Sequence, residues 1–288
     1  ERHAALGGAA NVAANVIALG ARCLLVGAVG DDADGAAIRQ ELAVARLEDR
    51  HVLTIAGRPT TSKTRIIARS QQIVRIDDEV DTLLDGTDLN RLIKVARDAL
   101  ADADALLLED YNKGALAPGL IKAVMEVARH RGIPVVVDPK YRQFFEYRGA
   151  TVFKPNRREL ESALGAAVDL NVGRAFPEVL ARLQVDNLLV TLGSEGMLLV
   201  AKDGGSLQIP SIARQIFDVS GAGDTVTAWM GTALAAGATV REAAQLANYA
   251  AGVEVGKPGV ATVSPEEMLA EYEEKFDRIG KLRRGGLI

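Results

Sequence analysis

From residue 218 to residue 225 the chain reads Asp218-Val219-Ser220-Gly221-Ala222-Gly223-Asp224-Thr225, and the apolar run to Ala236 that follows predicts a helix. Glycine permits a tight turn with positive φ and leaves backbone N–H groups uncovered. Uncovered N–H groups at a helix N-terminus form an anion site, and Asp224 stands directly beside it. Phosphoryl transfer to a hydroxyl needs both an anion cradle and a carboxylate base. The alternative interpretation is a Gly-rich turn with an ordinary acidic residue in the first turn of the helix.

Length, charge and cysteine content limit the class of protein. A chain of 288 residues with 48% hydrophobic and 25% charged residues has ordinary globular composition, enough for one large α/β domain or two smaller ones. The net charge of −4 argues against a general nucleic-acid binder, so an anionic substrate would require a local basic pocket. Cys23 is the single cysteine, which excludes an intrachain disulfide and indicates the cytosol. No apolar run reaches membrane-spanning length, so we expect no membrane partner.

Apolar strands alternate with helices along most of the chain. Strands are predicted at Ala105–Glu109 and Pro134–Asp138, for example, with a helix at Pro118–Arg131 between them. This alternation predicts a parallel sheet covered on both faces, with functional residues at the carboxyl ends of the strands. Those ends are Glu109-Asp110, Asp138-Pro139-Lys140, Lys154-Pro155-Asn156 and Thr191-Leu192-Gly193.

One segment differs from the rest of the chain in that its apolar residues recur every second position. Thr61–Arg69 and Gln71–Asp77 alternate apolar and polar residues, which predicts a half-exposed hairpin. We expect this hairpin, residues 61–77, to be part of a β lid on a main domain made of residues 1–60 and 78–288. A lid excludes water from a phosphotransfer site. Its apolar surface predicts a homodimer that pairs the lids of two copies.

Two common nucleotide-binding patterns are absent. Nothing matches the P-loop pattern G-x-x-x-x-G-K-[ST]. Gly221-x-Gly223 is followed by Val226 rather than by glycine or alanine, so it also fails the Rossmann pattern. A nucleotide-dependent oxidoreductase is therefore a disfavoured alternative.

Three motifs together resemble those of the ribokinase-like (PfkB) carbohydrate kinases. They are the Asp218–Asp224 stretch, Gly7-Gly8-Ala9-Ala10-Asn11-Val12-Ala13, and the pair Asn156-x-x-Glu159, in the order that the family has them. The resemblance covers nearly the whole chain. It implies a three-layer α/β/α sandwich with a mostly parallel central sheet and a small β lid, and a bacterial sugar kinase that uses ATP and Mg²⁺, with K⁺ as a further candidate. Family members begin with a strand that carries a sugar-contacting Asp ahead of the Gly-Gly motif, and we expect that strand to be missing here.

The resemblance also implies roles for the motif residues. Asp224 would be the general base, and Gly221, Ala222 and Gly223 would supply amides to the transferred phosphoryl group. The helix N-terminus predicts a lowered pKa for Asp224, and therefore a weak base. Glu159 would hold Mg²⁺ through water beside Asn156, although the same pair also fits a capping box. Retention of Asp224 and Glu159 argues against a non-catalytic sugar-binding module.

Further motifs resemble the heptose 7-phosphate kinases of the family, namely Lys63-Thr64-Arg65, Ser70–Asp77, Asp110-Tyr111-x-Lys113-Gly114 and Asp138-Pro139-Lys140. They imply phosphate transfer from ATP to O1 of D-glycero-β-D-manno-heptose 7-phosphate, on the ADP-heptose route to lipopolysaccharide core. Fructose 1-phosphate and ribose are the alternative substrates. The substrate-binding candidates are Gly7, Gly8, Asn11, Lys63, Arg65, Asp110, Lys113, Asp138 and Lys140. The nucleotide-binding candidates are Asn156, Thr191, Gly193, Ser194, Gly196, Asn248, Ala251 and Gly252. For the lysines a solvated surface charge, and for the glycines close packing, are the competing interpretations.

Overall fold

A six-stranded sheet forms the centre of the structure, a computed structural model that describes residues 4–68, 71–169, 176–213 and 216–273. The strands along the chain are β1 (Gly27–Gly30), β2 (Val52–Ile55), β3 (Ser62–Ala68), β4 (Gln71–Asp78), β5 (Leu106–Glu109), β6 (Val135–Asp138), β7 (Val152–Phe153), β8 (Asn187–Thr191), β9 (Met197–Ala201) and β10 (Ser206–Ile209). The central sheet has the order β10-β9-β8-β7-β6-β5. Strands β5 to β8 run parallel, and β9 and β10 add an antiparallel edge. The predicted mostly parallel sheet is confirmed.

Helices cover both faces of this sheet. They are α1 (Ala9–Ala18), α2 (Ala33–Val44), α3 (Gly86–Leu100), α4 (Pro118–Arg131), α5 (Arg157–Leu164), α6 (Phe176–Leu183), α7 (Ala222–Ala235) and α8 (Val240–Glu254), and residues 265–273 are also helical. No helix within the described ranges is long and apolar enough to cross a membrane.

Alternate residues of each strand enter two separate cores. Val135 and Val137 of β6 pack on the side of α3 and α4, whereas Val136 packs with Trp229 and Met230 of α7 on the other side. This division follows from the two-residue period of a strand. The sheet is therefore the middle layer of the predicted three-layer sandwich.

Two strand pairs stand apart from the central sheet in the described part of the chain. Strands β1 and β2 pair in parallel and share a hydrophobic cluster of their own with α1 and α2, including Val29 and Leu42. This cluster lets the pair bury its side chains without joining the main sheet, which the sequence pattern did not predict.

The second separate pair is the antiparallel hairpin β3–β4. Its bounds match the alternating segment, although the predicted end of the first strand at Arg69, Ser70 of the motif, and the outermost residues of the main domain (1–3 and 274–288) lie outside the described residues. Since β3–β4 makes no ladder with another described strand, it is a separate unit of backbone hydrogen bonding, as a lid requires.

Candidate active site

Asp224 lies in the first turn of α7 and is held by two donors. The side-chain nitrogen of Asn11 donates to Oδ2 at 2.7 Å, and the hydroxyl of Tyr111 donates to Oδ1 at 2.7 Å. Asp224 is only 7% exposed. Gly221, the residue that caps this helix, has φ of 98°, a conformation open to glycine but strained for other residues. The turn therefore places a buried, oriented carboxylate beside backbone N–H groups.

The N-terminal glycine motif lies next to both of these donors. Gly8 caps α1 with φ of 55°, and a Cβ at this residue would lie 3.5 Å from the Tyr111 ring. Asn11 is buried in the first turn of the same helix, and its carbonyl oxygen accepts a hydrogen bond from Asn15 at 3.1 Å. A Cβ at Gly7 would meet open space. The backbone conformation is thus a clear requirement for glycine at residue 8.

The pKa of Asp224 is raised, not lowered. Burial is the dominant cause, and the hydrogen bonds from Asn11 and Tyr111 act in the opposite direction. The expectation of a lowered pKa was wrong because it considered only the helix N-terminus and not the loss of solvent. A raised pKa makes Asp224 a stronger base than an exposed carboxylate. Burial, followed by the charge of Asp224, raises the pKa of Tyr111, so this phenol remains a donor.

Lys154 supplies a buried positive charge beneath the glycine turn. Its Nζ donates to Oδ2 of Asp138 at 2.8 Å, and the residue is 2% exposed. A Cβ at Gly223 would lie 3.6 Å from this Nζ. Burial favours the neutral amine, but the carboxylates of Asp138 and Glu109 outweigh it, and the pKa of Lys154 is raised. The anion site at the start of α7 therefore has an ammonium group directly behind it.

A third carboxylate, that of Glu109 at the end of β5, completes the cluster. One oxygen from each of Glu109, Asp138 and Asp224 lies within 4.8 Å of the others. Such oxygens are a donor type that divalent cations accept. However, both oxygens of Asp224 accept protein hydrogen bonds, and Asp138 is paired with Lys154. Lysine therefore supplies the compensating positive charge in this structure.

The predicted phosphate-binding lysines are each paired with a carboxylate. Lys63 and Lys113 contact the two oxygens of Glu79 at 2.7 and 2.6 Å, and Lys140 forms an ion pair with Glu159. Glu79, Lys113 and Lys140 line a cavity of about 510 Å³ next to Tyr111. Arg65 is exposed on β3; the pKa of Asp218 is lowered chiefly by hydrogen bonds with Ser220 and further by the charge of Arg65. A phosphate in this cavity would compete with Glu79 for Lys113 and with Glu159 for Lys140.

The two strand-end aspartates differ in their surroundings. Asp138 belongs to the cluster around Lys154, whereas Asp110 is held by its own loop and by Tyr147. Oδ1 of Asp110 accepts from the backbone N–H of Asn112 at 2.7 Å, and Oδ2 accepts from the Tyr147 hydroxyl at 2.8 Å. The Asp110 carboxylate therefore already has a donor on each oxygen.

The Asn156-x-x-Glu159 pair forms a capping box on α5. The Asn156 side chain accepts from the backbone N–H of Glu159 at 2.8 Å, and Glu159 accepts from the backbone N–H of Asn156 at 2.9 Å. The other oxygen of Glu159 faces Lys140. Asn156 also bridges to Thr191 at the end of β8. The pair thus lies between the lysine-lined cavity and the strand end that was predicted to flank the nucleotide.

Three of the predicted nucleotide-binding residues converge on the segment 209–213. Asn248 donates to the carbonyl oxygen of Pro210 at 3.0 Å. A Cβ at Gly196, where φ is 92°, would lie 2.0 Å from the Ile209 carbonyl oxygen, and one at Gly252 would lie 2.5 Å from Ile212. Packing within the protein therefore accounts for both glycines. Gly193 and Ser194 are exposed in a 3₁₀ turn after β8, and Ala251 is half-buried on α8.

Four residues of this region were not predicted as site residues. In the sequence, Tyr111 stood out only as part of a motif. Glu109 and Lys154 stood out only as charged residues at strand ends. Glu254 is fully buried beside the turn, with Oε1 at 3.1 Å from a Cβ built on Gly221, and burial raises its pKa to about 8. The charged strand ends were a usable signal for Glu109 and Lys154, because the carboxyl ends of parallel strands meet at one edge.

Comparison with known proteins places this geometry in a family. Residues 2–267 match the model of the pfkB family carbohydrate kinases. The bifunctional protein HldE of Rhodospirillum rubrum is 42% identical over 277 residues, which are 96% of this chain and 56% of that protein. The chain thus spans about half the length of the curated relatives it matches.

Solved structures share the fold. Arabidopsis thaliana ribokinase in complex with ribose and ATP has a TM-score of 0.73 at 23% identity, over 91% of this chain and 85% of its own. Phosphofructokinase-2 from Escherichia coli in complex with potassium has a TM-score of 0.75 at 20% identity, over 93% and 87% of the two chains. The chain belongs to the PfkB family of carbohydrate kinases and has the ribokinase-like fold, as its motifs predicted.

Proposed function

We propose that the chain is an ATP-dependent kinase that phosphorylates O1 of D-glycero-β-D-manno-heptose 7-phosphate in the bacterial cytoplasm. The observation that carries the proposal is the placement of Asp224, held by Asn11 and Tyr111 at the start of α7 with Lys154 behind the glycine turn. A base and an anion cradle thereby meet at one point.

The residues suggest a direct in-line transfer. Asp224 accepts the proton of the sugar 1-hydroxyl as that oxygen attacks the γ-phosphorus of ATP, and ADP leaves. The amides of Gly221, Ala222 and Gly223, together with Lys154, stabilise the negative charge on the transferred group. The hydrogen bonds from Asn11 and Tyr111 fix the orientation of the Asp224 carboxylate and favour its ionised form.

The residues present fit ATP with a divalent cation. The side chain of Glu159 is 17% exposed; one of its oxygens pairs with Lys140, and the other accepts from the backbone N–H of Asn156. A carboxylate of this kind holds Mg²⁺ through the water molecules that the ion retains. Bound Mg²⁺ would neutralise charge on the phosphates of ATP. The nucleotide would lie along Thr191, Gly193, Ser194 and Gly196 and near Asn248, Ala251 and Gly252. K⁺ is a further proposed cofactor.

The substrate proposal rests on the cavity beside Tyr111 and on the motifs shared with heptose 7-phosphate kinases. Lys113 and Lys140 line this cavity and give it the cationic groups that a sugar phosphate requires. Lys63, which pairs with the lining residue Glu79, and Arg65 would add further charge from the proposed lid. Gly7, Gly8, Asn11, Asp110 and Asp138 are the proposed contacts to the sugar. The relatives named bifunctional protein HldE, which match the same region, support this assignment.

The test is a coupled ADP-release assay with heptose 7-phosphate, fructose 1-phosphate, fructose 6-phosphate and ribose as acceptors, each with and without Mg²⁺ and K⁺. We expect turnover with heptose 7-phosphate that depends on Mg²⁺. Activity confined to an unphosphorylated sugar would overturn the substrate, and release of ADP without any acceptor dependence would overturn the kinase reaction.

We also propose a homodimer that forms through the lids. The register of the hairpin places Ile66 opposite Val74 and Thr64 opposite Ile76, so these four residues share one face. Ile66, Val74 and Ile76 are all exposed. Burial of this apolar face against a second copy would remove it from water. Sedimentation at micromolar concentration tests the proposal, since a monomer would contradict it and the variant Ile66→Lys should convert a dimer to monomers.

A further inference from the structure

We propose that Glu109 is a positioning residue for Asp224, and that it carries a proton so that the buried cluster of Glu109, Asp138, Lys154 and Asp224 has one excess negative charge rather than two. The inference rests on the proposed phosphotransfer at Asp224. It adds to that function the group whose protonation determines the net charge next to Asp224.

The charge count of the cluster motivates the proposal. Three carboxyl groups meet within 4.8 Å, and Lys154 forms an ion pair with one of them, Asp138, while its charge also acts on Glu109 and Asp224. With all three ionised, the cluster would have a net charge of minus two, although Asp138, Lys154 and Asp224 are each no more than 9% exposed. Buried charge without a partner is costly, and neighbouring carboxylates relieve the cost by retaining a proton.

The hydrogen bonds decide which carboxyl group retains the proton. Asp138 receives the ammonium group of Lys154, and Asp224 receives two donors on its two oxygens. Each of these partners favours the ionised form. Glu109 has both oxygens shielded from solvent, and neither has a hydrogen-bond partner among the described residues. The proton therefore resides on Glu109.

The groups that face Glu109 from the neighbouring elements agree with this assignment. Asp138 approaches from the end of β6 and Asp224 from α7, and both disfavour a negative charge on Glu109. Lys154 approaches from the end of β7 and acts in the opposite direction. The hydroxyl of Thr227 on α7 is the smallest influence and also favours the ionised form of Glu109, although its proton is donated to the carbonyl oxygen of Gly223 at 3.2 Å. Burial is the largest influence, and the pKa of Glu109 is raised well above its ordinary value.

The proposed role has a consequence for turnover. Ionisation of Glu109 at alkaline pH would place a second uncompensated charge next to Asp224 and close to the arriving phosphoryl group. That charge would repel the phosphate and raise the affinity of Asp224 for its proton. Turnover should therefore fall at alkaline pH in the wild-type protein, and the fall should be absent when residue 109 cannot ionise.

The first test is thermal melting of Glu109→Gln and wild type from about pH 5 to about pH 9, with the exposed Glu126→Gln as matched control. When the pKa of a carboxyl group is raised by folding, the group makes the folded protein less stable as pH rises above its unfolded pKa of about 4.3. Glutamine does not titrate, so the Tm of Glu109→Gln minus the Tm of wild type should increase as pH rises. Contributions of other groups, including Glu254, cancel in this difference. Parallel curves of Tm against pH would overturn the proposal. A rise of Tm on addition of Mn²⁺ in wild type but not in Glu109→Gln would also overturn it, because that result would identify a metal site.

The second test is the pH profile of kcat with the sugar phosphate. We expect Glu109→Gln to retain kcat within about threefold at neutral pH and to lose the alkaline fall. A loss of about 100-fold in Glu109→Gln at neutral pH would show that the ionised carboxylate is needed, and would overturn the proposal. If wild type turns over no sugar, the proposed function fails, yet the melting curves still decide whether Glu109 carries a proton.

Discussion

The side chains of Asn11 and Asp224 are joined by a 2.7 Å hydrogen bond although they are 213 residues apart in the chain. The bond connects the first turn of α1 to the first turn of α7. The two glycine-containing motifs that flank these residues are thereby parts of one structural unit. Changes at either end of this bond should alter the same chemical step.

Replacement of Asp224 by Asn should reduce kcat by about 100-fold or more, because an amide cannot accept the proton of the sugar hydroxyl. Binding of ATP should change little, since the glycine turn remains. The measurement is kcat from ADP release together with the ATP-induced shift in Tm. The control is Asp98→Asn on the exposed surface of α3. Near-normal turnover in Asp224→Asn would exclude the assignment of the base.

Removal of the Tyr111 hydroxyl should shift the pH profile. The hydrogen bond from Tyr111 lowers the pKa of Asp224 against the larger effect of burial. Tyr111→Phe should therefore raise this pKa further and move the acidic limb of the kcat profile to higher pH. Tyr147→Phe is the matched control, because its hydroxyl donates to Asp110 instead. An acidic limb that moves equally in both variants would show that the effect is not specific to Asp224.

Loss of the buried ammonium group should destabilise the fold. Lys154→Met leaves Asp138 buried without its cation, at a cost of about 3 to 5 kcal/mol in the free energy of unfolding. Lys202→Met removes an exposed ion pair with Asp186 and should cost less than about 1 kcal/mol. Urea denaturation measures both. The double variant Lys154→Met/Asp138→Asn should recover part of the loss, and no recovery would mean that packing rather than charge causes it.

Two glycines allow the cost of backbone strain to be measured separately from the cost of a steric clash. Gly196 and Gly204 have φ of 92° and 88°, so alanine at either residue costs about 1 to 3 kcal/mol in backbone strain. A Cβ at Gly196 would also lie 2.0 Å from a carbonyl oxygen, whereas one at Gly204 would meet open space. Gly196→Ala should therefore lower Tm clearly more than Gly204→Ala. Equal shifts in Tm would mean that the segment from residue 209 moves aside at little cost.

Much of the fold was predictable because its signals are local. The two-residue and helical periods, together with glycines at helix ends, identified the sheet, the hairpin and the start of α7. The motifs likewise singled out Asp224, Asn11 and the Asn156–Glu159 pair as candidates, and their roles stay predictions. These residues lie at turns whose sequence requirements are strict.

The remainder depends on contacts between distant segments. The ion pair of Lys154 with Asp138, and the donation of Tyr111 to Asp224, require the relative placement of strand ends that no local pattern contains. The ionisation of Asp224 was misjudged for the same reason, because burial is a property of the assembled site. Glu109 was visible as a charged strand end, but only the three-dimensional structure shows that its oxygens have no hydrogen-bond partner among the described residues.

The link between α1 and α7 also matters during protein synthesis. A ribosome produces Asn11 long before Asp224, which follows 213 residues later. Until that residue emerges, the nascent polypeptide lacks one partner of the hydrogen bond, however well its earlier strands have paired. The order of residues along the chain therefore delays completion of the proposed phosphotransfer site until α7 has been made.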